Sequence, residues 1–315
     1  MTLAIPTVFI VGAPRCGTTS MHRYLAQHPR VFMSKVKEPH HFGSDLEFRF
    51  RPYADRARYL ELFEKARHDQ IAGESSVEYL YSKMAPREIK ELSPSAKIII
   101  MLRDPTDLIR SAHIHNLYQL NEDLTDLEEA LAAEDDRRQG MRIPSTCLAP
   151  LTLQYTTLAR YAEHVLRYRQ TFGSDRVKCI LFEDLKREPQ RVYEETLAFL
   201  GLEPAKPPDF KAHNGPQAWR SRRVARIVVT AYWRAVRLSY RLPTKQLRWS
   251  TLILIVALFA LPMKANLISA SAPPLPPRLR AALRQRFRDD VERLAELLGL
   301  DLSTWLPSGQ AGVSP

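Results

Sequence analysis

Residues 8–25, VFIVGAPRCGTTSMHRYL, constrain this chain more than any other stretch. Val8, Phe9, Ile10 and Val11 form a continuous apolar run, the pattern of a parallel strand covered on both faces. Gly12 and Gly17 bracket a tight loop. Thr18, Thr19 and Ser20 then open a helix with Met21, Tyr24 and Leu25 on its apolar side. A strand, loop and helix in this order aim unpaired amides and the positive end of a helix dipole at one point, a ready seat for phosphate. The G-x-x-x-x-G spacing is that of a Walker A loop, but Thr18 stands where that motif has Lys. The cation sits inside the loop instead, as Arg15. A kinase would want the missing Lys on the β/γ-phosphates with a magnesium site beside it.

A second unit of the same kind is AKIIIMLRDPTDLIRSAHIHNL, residues 96–117. Asp104 is placed to cap its helix and Pro105 suits the first turn. Arg103 falls at the carboxyl end of the strand, where open α/β sheets bind ligands, and Ser111 lies two helical turns on. A guanidinium fork with a hydroxyl suits a phosphate monoester. Strand and helix signals alternate through the first two hundred residues. Helices are expected over 53–66 and near 86–92. Others are expected in LTDLEEALAAEDDRRQ, in LQYTTLARYAEHVLRYRQTF and over 189–200, where Gly201 is the stop. The rhythm predicts an α/β fold: a P-loop-type parallel β-sheet flanked by helices on both faces. At 315 residues a single domain is the simplest account, with a helical insertion over 220–275 and a closing helix over 276–306.

PRCGTTSMHRYLAQHP resembles the 5′-phosphosulfate loop of the sulfotransferases that use 3′-phosphoadenylyl sulfate (PAPS), in the branch of the heparan sulfate sulfotransferases and bacterial carbohydrate sulfotransferases. The resemblance implies that Arg15, Cys16, Gly17, Thr18, Thr19 and Ser20 hold the phosphosulfate. It implies that Arg103 with Ser111 holds the 3′-phosphate. KVKEPHHF is similar to the family's E-x-H-F-F stretch, which implies Glu38 as general base and Lys37 against the transferring group or against Glu38. His41 departs from the first Phe, and Phe42 fits the second. His40 is the rival base, since a His has that role in the small-molecule branch. Pro39 is expected to hold Glu38 extended. In GESSVEYLYS, Ser75 stands where heparan-type enzymes often have Lys, and Glu74 reads as a positioning or capping group. Arg222 and Arg223 in HNGPQAWRSRRV are candidates for cations on the 3′-phosphate. His113 is the helix histidine that could border the nucleotide. It reads first as partly exposed, and with His115 at i+2 it does not make a metal site. The implied reaction moves a sulfuryl group from PAPS to a hydroxyl or amine of a carbohydrate or glycolipid and leaves adenosine 3′,5′-bisphosphate, with no metal. The alternatives are a P-loop kinase using ATP and a non-enzymatic membrane-surface adaptor.

Charge sets one region apart. The chain carries a net +11, yet between Asp209 and Asp289 there is no Asp or Glu and there are sixteen Lys or Arg. Within that region Leu252–Leu261 is an unbroken apolar run of ten that ends at Pro262, about half of what a bilayer crossing needs. A buried core helix is one reading. The other is an interfacial segment over 220–262 on an anionic membrane, where Arg interleaves with Trp233, Tyr240 and Trp249 and a lipid-linked acceptor is brought to the enzyme. No nucleic-acid partner is expected. Cys16, Cys147 and Cys179 show neither metal spacing nor a disulfide framework. The apolar N-terminus leads straight into the loop with no preceding Lys or Arg. The expectation is therefore a cytoplasmic enzyme, peripheral on the inner face of the membrane.

Overall fold

The computed structural model describes residues 4–210, 217–269 and 273–307. Five parallel strands form one sheet: β1 (Val8–Gly12), β2 (Val31–Met33), β3 (Ile71–Ser75), β4 (Lys97–Leu102) and β5 (Val177–Leu181), in the order β2-β3-β1-β4-β5. β1 is buried throughout, and β4 is buried from Ile98 to Leu102, as their unbroken apolar runs require. Among the described residues eight helices have eight or more residues: α1 (Thr18–Leu25), α2 (Ala85–Leu92), α3 (Pro105–Gln119), α4 (Ala162–Phe172), α5 (Pro189–Leu200), α6 (Arg222–Ser239), α7 (Lys245–Asn266) and α8 (Pro277–Leu298). This is the expected parallel sheet flanked by helices.

The strand order creates the site. After β1 the chain moves to one side of the sheet, to β2 and β3. It then returns to the other side of β1 for β4 and β5. The loops after β1 and β4 thus meet at a topological switch point, at the carboxyl ends of adjacent strands. Asp104 caps α3, accepting from the Thr106 amide at 2.8 Å, and Pro105 opens the helix. Gly17 is left-handed (φ 84°) at the start of α1, and a Cβ there would come within 2.9 Å of the Phe182 ring. Gly17→Ala is therefore expected to cost about 1–3 kcal/mol of stability through positive φ and overpacking. A urea midpoint equal to that of the wild type would contradict this.

Several expected elements are divided. The helix expected over 53–66 is a short helix, Arg56–Leu60, with a tight turn at Glu61–Phe63. LTDLEEALAAEDDRRQ forms two short helices that meet at Ala133. The long helix expected over 153–172 breaks before Ala162, because Asp290 of α8 accepts the Tyr161 and Ala162 amides at 2.8 and 3.3 Å and so caps α4 from outside the segment. α8 ends at Leu298, not 306, on left-handed Gly299 (φ 66°). Its Leu283, Phe287, Val291 and Leu294 are buried in the core.

The insertion is a helical hairpin of α6 and α7. Its base is clasped by an antiparallel pair, β6 (Gln217–Trp219) with β7 (Leu267–Ser269). α7 runs on through Pro262 to Asn266. A proline there removes one bond, to the Leu258 carbonyl, near the helix end and on an exposed turn. The apolar run is not core, since Ile253, Leu254, Leu258 and Leu261 are 66–76% exposed.

Candidate active site

The loop after β1 and the strand end at Arg103 converge. Arg15 Nε donates to Ser111 Oγ at 3.2 Å, and Arg15 Nη1 lies 3.5 Å from His115 Nδ1. Arg103 Nη1 reaches the Arg15 carbonyl at 3.4 Å, and its guanidinium stacks over Phe182 at 4.8 Å. Burial first, and the neighbouring Arg103 cation second, pull the Arg15 guanidinium below its ordinary value. The buried Arg103 Nε has no hydrogen-bond partner. The Arg15 and Arg103 cations thus repel one another beside the loop that opens α1. An anion placed there relieves the repulsion. Thr18 and Ser20 are buried in the first turn of α1. Cys16 is buried too, its Sγ 3.4 Å from the Pro14 carbonyl and its thiol pushed up to about 12 by burial, so it packs as an inert filler.

Arg15 and Ser111, expected at opposite ends of one ligand, are bonded to each other. The two expected clusters form a single cationic seat. Ser111 accepts from Arg15 and so keeps its own hydroxyl proton to donate to an anion.

The second half of the site is the loop after β2. Glu38 donates its amide to the Ser75 carbonyl at 2.8 Å, and its carboxylate is ion-paired with Lys37. Pro39 does not hold Glu38 extended: its φ is 59°, and His40 follows at 51°. Arg15, at 63°, shares this left-handed conformation. Three of the five non-glycine residues with positive φ among the described residues therefore belong to this site, where strained backbone commonly gathers. The surrounding structure holds the strain. Arg51 donates to the carbonyls of His40, His41, Phe42 and Gly43 at 2.7–3.3 Å. Tyr79 Oη accepts the His41 and Phe42 amides at 2.8 and 3.2 Å. Glu74 is fully buried, accepts from Tyr59 and Ser76 at 3.0 and 2.8 Å, and so anchors the Ser76 hydroxyl, which in turn accepts the His40 amide at 3.4 Å. Of the two roles expected for Glu74, positioning or capping, these bonds fit positioning. Ser75, at the position where heparan-type enzymes often have Lys, instead bonds His22 at 2.8 Å.

Desolvation raises the Glu38 carboxyl, but the Lys37 ammonium, with His40 and His115 beyond it, wins and holds it at about 2. His40 stacks on Phe48 at 4.3 Å, and burial drives its imidazole down to about 4. At neutral pH Glu38 is therefore charged and His40 neutral. The Glu38 side chain is 37% exposed, against 17% for His40, so Glu38 is the more accessible to an incoming acceptor.

Glu78 is the residue that sequence reasoning passed over. Its carboxylate oxygen lies 3.5 Å from His40 Nδ1, poorly aligned for a hydrogen bond. Glu38, His40 and Glu78 each offer an atom within 4.8 Å of the others, the one such group among the described residues and a close-packed set that sequence spacing does not reveal. Lys37 already places a cation against it. Burial first, and the Glu38 charge second, push the Glu78 carboxyl up to about 8. Between about pH 4.5 and 8 the folded protein therefore keeps a proton that the unfolded chain releases, so stability falls as pH rises through that window. Glu78→Gln removes this titration. Its melting temperature should climb relative to the wild type from about pH 5 to pH 8, and a constant difference would contradict the assignment.

Two further expectations change. His113 is buried and bonds the Leu124 carbonyl at 2.9 Å, a structural role. His115 is the histidine at the site. It lies four residues after Ser111 on the same face of α3, a spacing that marks it in the sequence. Arg222 donates to the Glu122 carbonyl at 2.8 Å, beyond the far end of α3 from Arg103, and Arg223 is exposed. Among the described residues both lie on the hairpin side of α3, with Arg222 held at Glu122 rather than at Arg103. His213 to Pro216 of the same motif lie outside the described residues.

The parallel sheet thus carries two neighbouring arginines at its switch point, beside a loop-held carboxylate. The Sulfotransferase domain family matches residues 6–214. The chain belongs to this family. It is 27% identical over 216 residues to human bifunctional heparan sulfate N-deacetylase/N-sulfotransferase 3, covering 64% of this chain and 23% of the relative. The mouse N-deacetylase/N-sulfotransferase 4 is 26% identical over 208 residues, again covering 64% and 23%. The chain thus spans about a quarter of the length of these relatives. Among solved structures, a sulfotransferase from Alicyclobacillus acidocaldarius superposes with a TM-score of 0.69 at 29% identity, covering 96% of this chain and 99% of that one.

Proposed function

We propose that the protein transfers a sulfuryl group from PAPS to a hydroxyl or amine of a carbohydrate or glycolipid. One observation carries this reading: the Arg15–Ser111 contact brings the loop after β1 and the helix after β4 to one seat. The nearness of Glu38, whose charge acts on Arg15, supports it. Membership of the sulfotransferase family supports the reaction, and the heparan sulfate relatives support a carbohydrate acceptor.

In this reading the 5′-phosphosulfate lies on the amides that open α1, with Arg15 on the bridging oxygen. Arg103 takes the 3′-phosphate together with the Ser111 hydroxyl, which accepts from Arg15 and donates its own proton. The charged sulfuryl group draws Lys37 off Glu38. Losing that ion pair raises the basicity of Glu38, which then removes the acceptor proton. The acceptor oxygen or nitrogen bonds to sulfur as the bond from sulfur to the bridging oxygen breaks. The proton ends on Glu38, and the electron pair leaves with adenosine 3′,5′-bisphosphate. Donor binding and base activation are thereby coupled through one lysine.

The test is incubation with sulfur-labelled PAPS and a glycan and glycolipid extract. Label in a product that gains the mass of one sulfuryl group is expected. Label that stays in PAPS and free sulfate across all fractions would contradict the reading.

A further inference from the structure

The α6–α7 hairpin leaves apolar surface that the fold does not use. α7 is 22 residues, about 33 Å long at helical rise, and apolar nearly all round from Leu252 to Met263. Only 6% of its apolar window is buried. A helix of this composition is ordinarily covered, by protein or by lipid. Between residues 222 and 266 the hairpin also carries nine Lys or Arg and no acid.

Those charges select what covers it. A two-fold contact with a second copy would set the same patch against itself, arginines facing arginines with no acid of the hairpin to pair them. An anionic bilayer complements both features, apolar side chains entering the acyl boundary and arginines resting among headgroups. By length and composition α7 alone could cross a bilayer. It is packed against α6, with the Tyr232 and Phe259 rings 5.8 Å apart, and α6 would carry Arg226, Arg234 and Arg237 into hydrocarbon with it. The hairpin therefore lies along the surface.

The same surface continues into the protein. The end of α6 packs on the body, with Tyr240 5.3 Å from Phe50 and its hydroxyl 3.3 Å from that of Tyr53. Beneath the hairpin turn is a cavity of about 340 Å³, lined by Val36, Tyr53 and Leu62 of the body and by Tyr240, Trp249 and Leu252 of the hairpin, with charged residues of both signs. Trp249 thus belongs both to the exposed face and to the cavity. Val36 precedes Glu38 by two residues, so their Cα atoms are at most about 7 Å apart.

We propose that the α6–α7 hairpin lies on an anionic membrane surface, and that the cavity under its turn takes the apolar chain of a lipid-linked acceptor whose polar head reaches Glu38. The membrane half stands on the hairpin alone. The acceptor half rests on the sulfotransferase reading given above.

Flotation of the full chain separates the outcomes. Vesicles of phosphatidylcholine with phosphatidylglycerol should carry roughly tenfold more protein upward than phosphatidylcholine alone, and added salt should reduce the difference. Leu254→Asp with Leu258→Asp, both on exposed positions, should abolish flotation while melting as the wild type does. Protein that stays at the bottom with both vesicles, whether it sediments as a monomer or as a dimer, overturns the membrane half. For the cavity, dodecyl maltoside below its micelle concentration should change tryptophan fluorescence saturably. Maltose should not, and Trp249→Phe should lose the change. No saturable change in the wild type overturns the acceptor half. Stabilisation by adenosine 3′,5′-bisphosphate is read on the same samples. Its absence alongside flotation refutes the donor reading and leaves the membrane half standing, whereas its presence without flotation does the reverse.

Discussion

Glu38→Gln is expected to lower kcat by about a thousandfold, within the usual range for loss of a positioned general base. The amide keeps the shape of the carboxylate and accepts no proton. Binding of adenosine 3′,5′-bisphosphate should be no weaker in this variant, because the Glu38 carboxylate contacts Lys37 and not the phosphate loop. It should in fact tighten slightly, since removing an anion near Arg15 makes the seat more positive. His40→Ala separates the two candidate bases. With Glu38 as base, His40→Ala loses activity mainly through the loop that His40 helps pack, and loses less than Glu38→Gln. The opposite ranking, or a Glu38→Gln variant within a few-fold of wild type, would transfer the role to His40.

The second large effect is on the donor. Arg103→Ala should raise the KM for PAPS by about a hundredfold, the scale of a lost charge-assisted hydrogen-bond pair at roughly 1.4 kcal/mol per factor of ten. Arg103 follows β4 directly, and its guanidinium lies over the Phe182 ring and reaches the Arg15 carbonyl. The fold should therefore survive, with a melting temperature near that of the wild type without ligand. Arg103→Lys should recover only part of the affinity, because an ammonium lacks the fork. Equal KM values for all three proteins would remove Arg103 from the site.

Much of this was legible in the sequence because it lies in contiguous motifs. Both strand–loop–helix units carry their own apolar runs, caps and cations, so Arg15, Arg103 and Ser111 could be named from local pattern, whereas Lys37 and Glu38 were named through the resemblance of KVKEPHHF to the family's stretch. Glu78 could not, since its role depends on β3 delivering it against a loop that begins some forty residues earlier. Arg51 was invisible for the same reason, as an arginine that clamps four carbonyls looks like any surface cation until the loop closes on it. His115 was legible and misread, although its i+4 spacing from Ser111 places both on one helical face. The break before α4 comes from Asp290, far along the chain, and local periodicity carries no trace of it. The hairpin was read as ambiguous because periodicity alone does not separate a buried helix from a lipid-facing one.

The most direct measurement is a calorimetric titration of the protein with adenosine 3′,5′-bisphosphate in the presence of a chelator. One molecule should bind per chain, the affinity should fall in Arg15→Ala and Arg103→Ala, and ATP with magnesium should not compete. No heat from adenosine 3′,5′-bisphosphate, with saturable binding of ATP and magnesium in its place, would contradict the account.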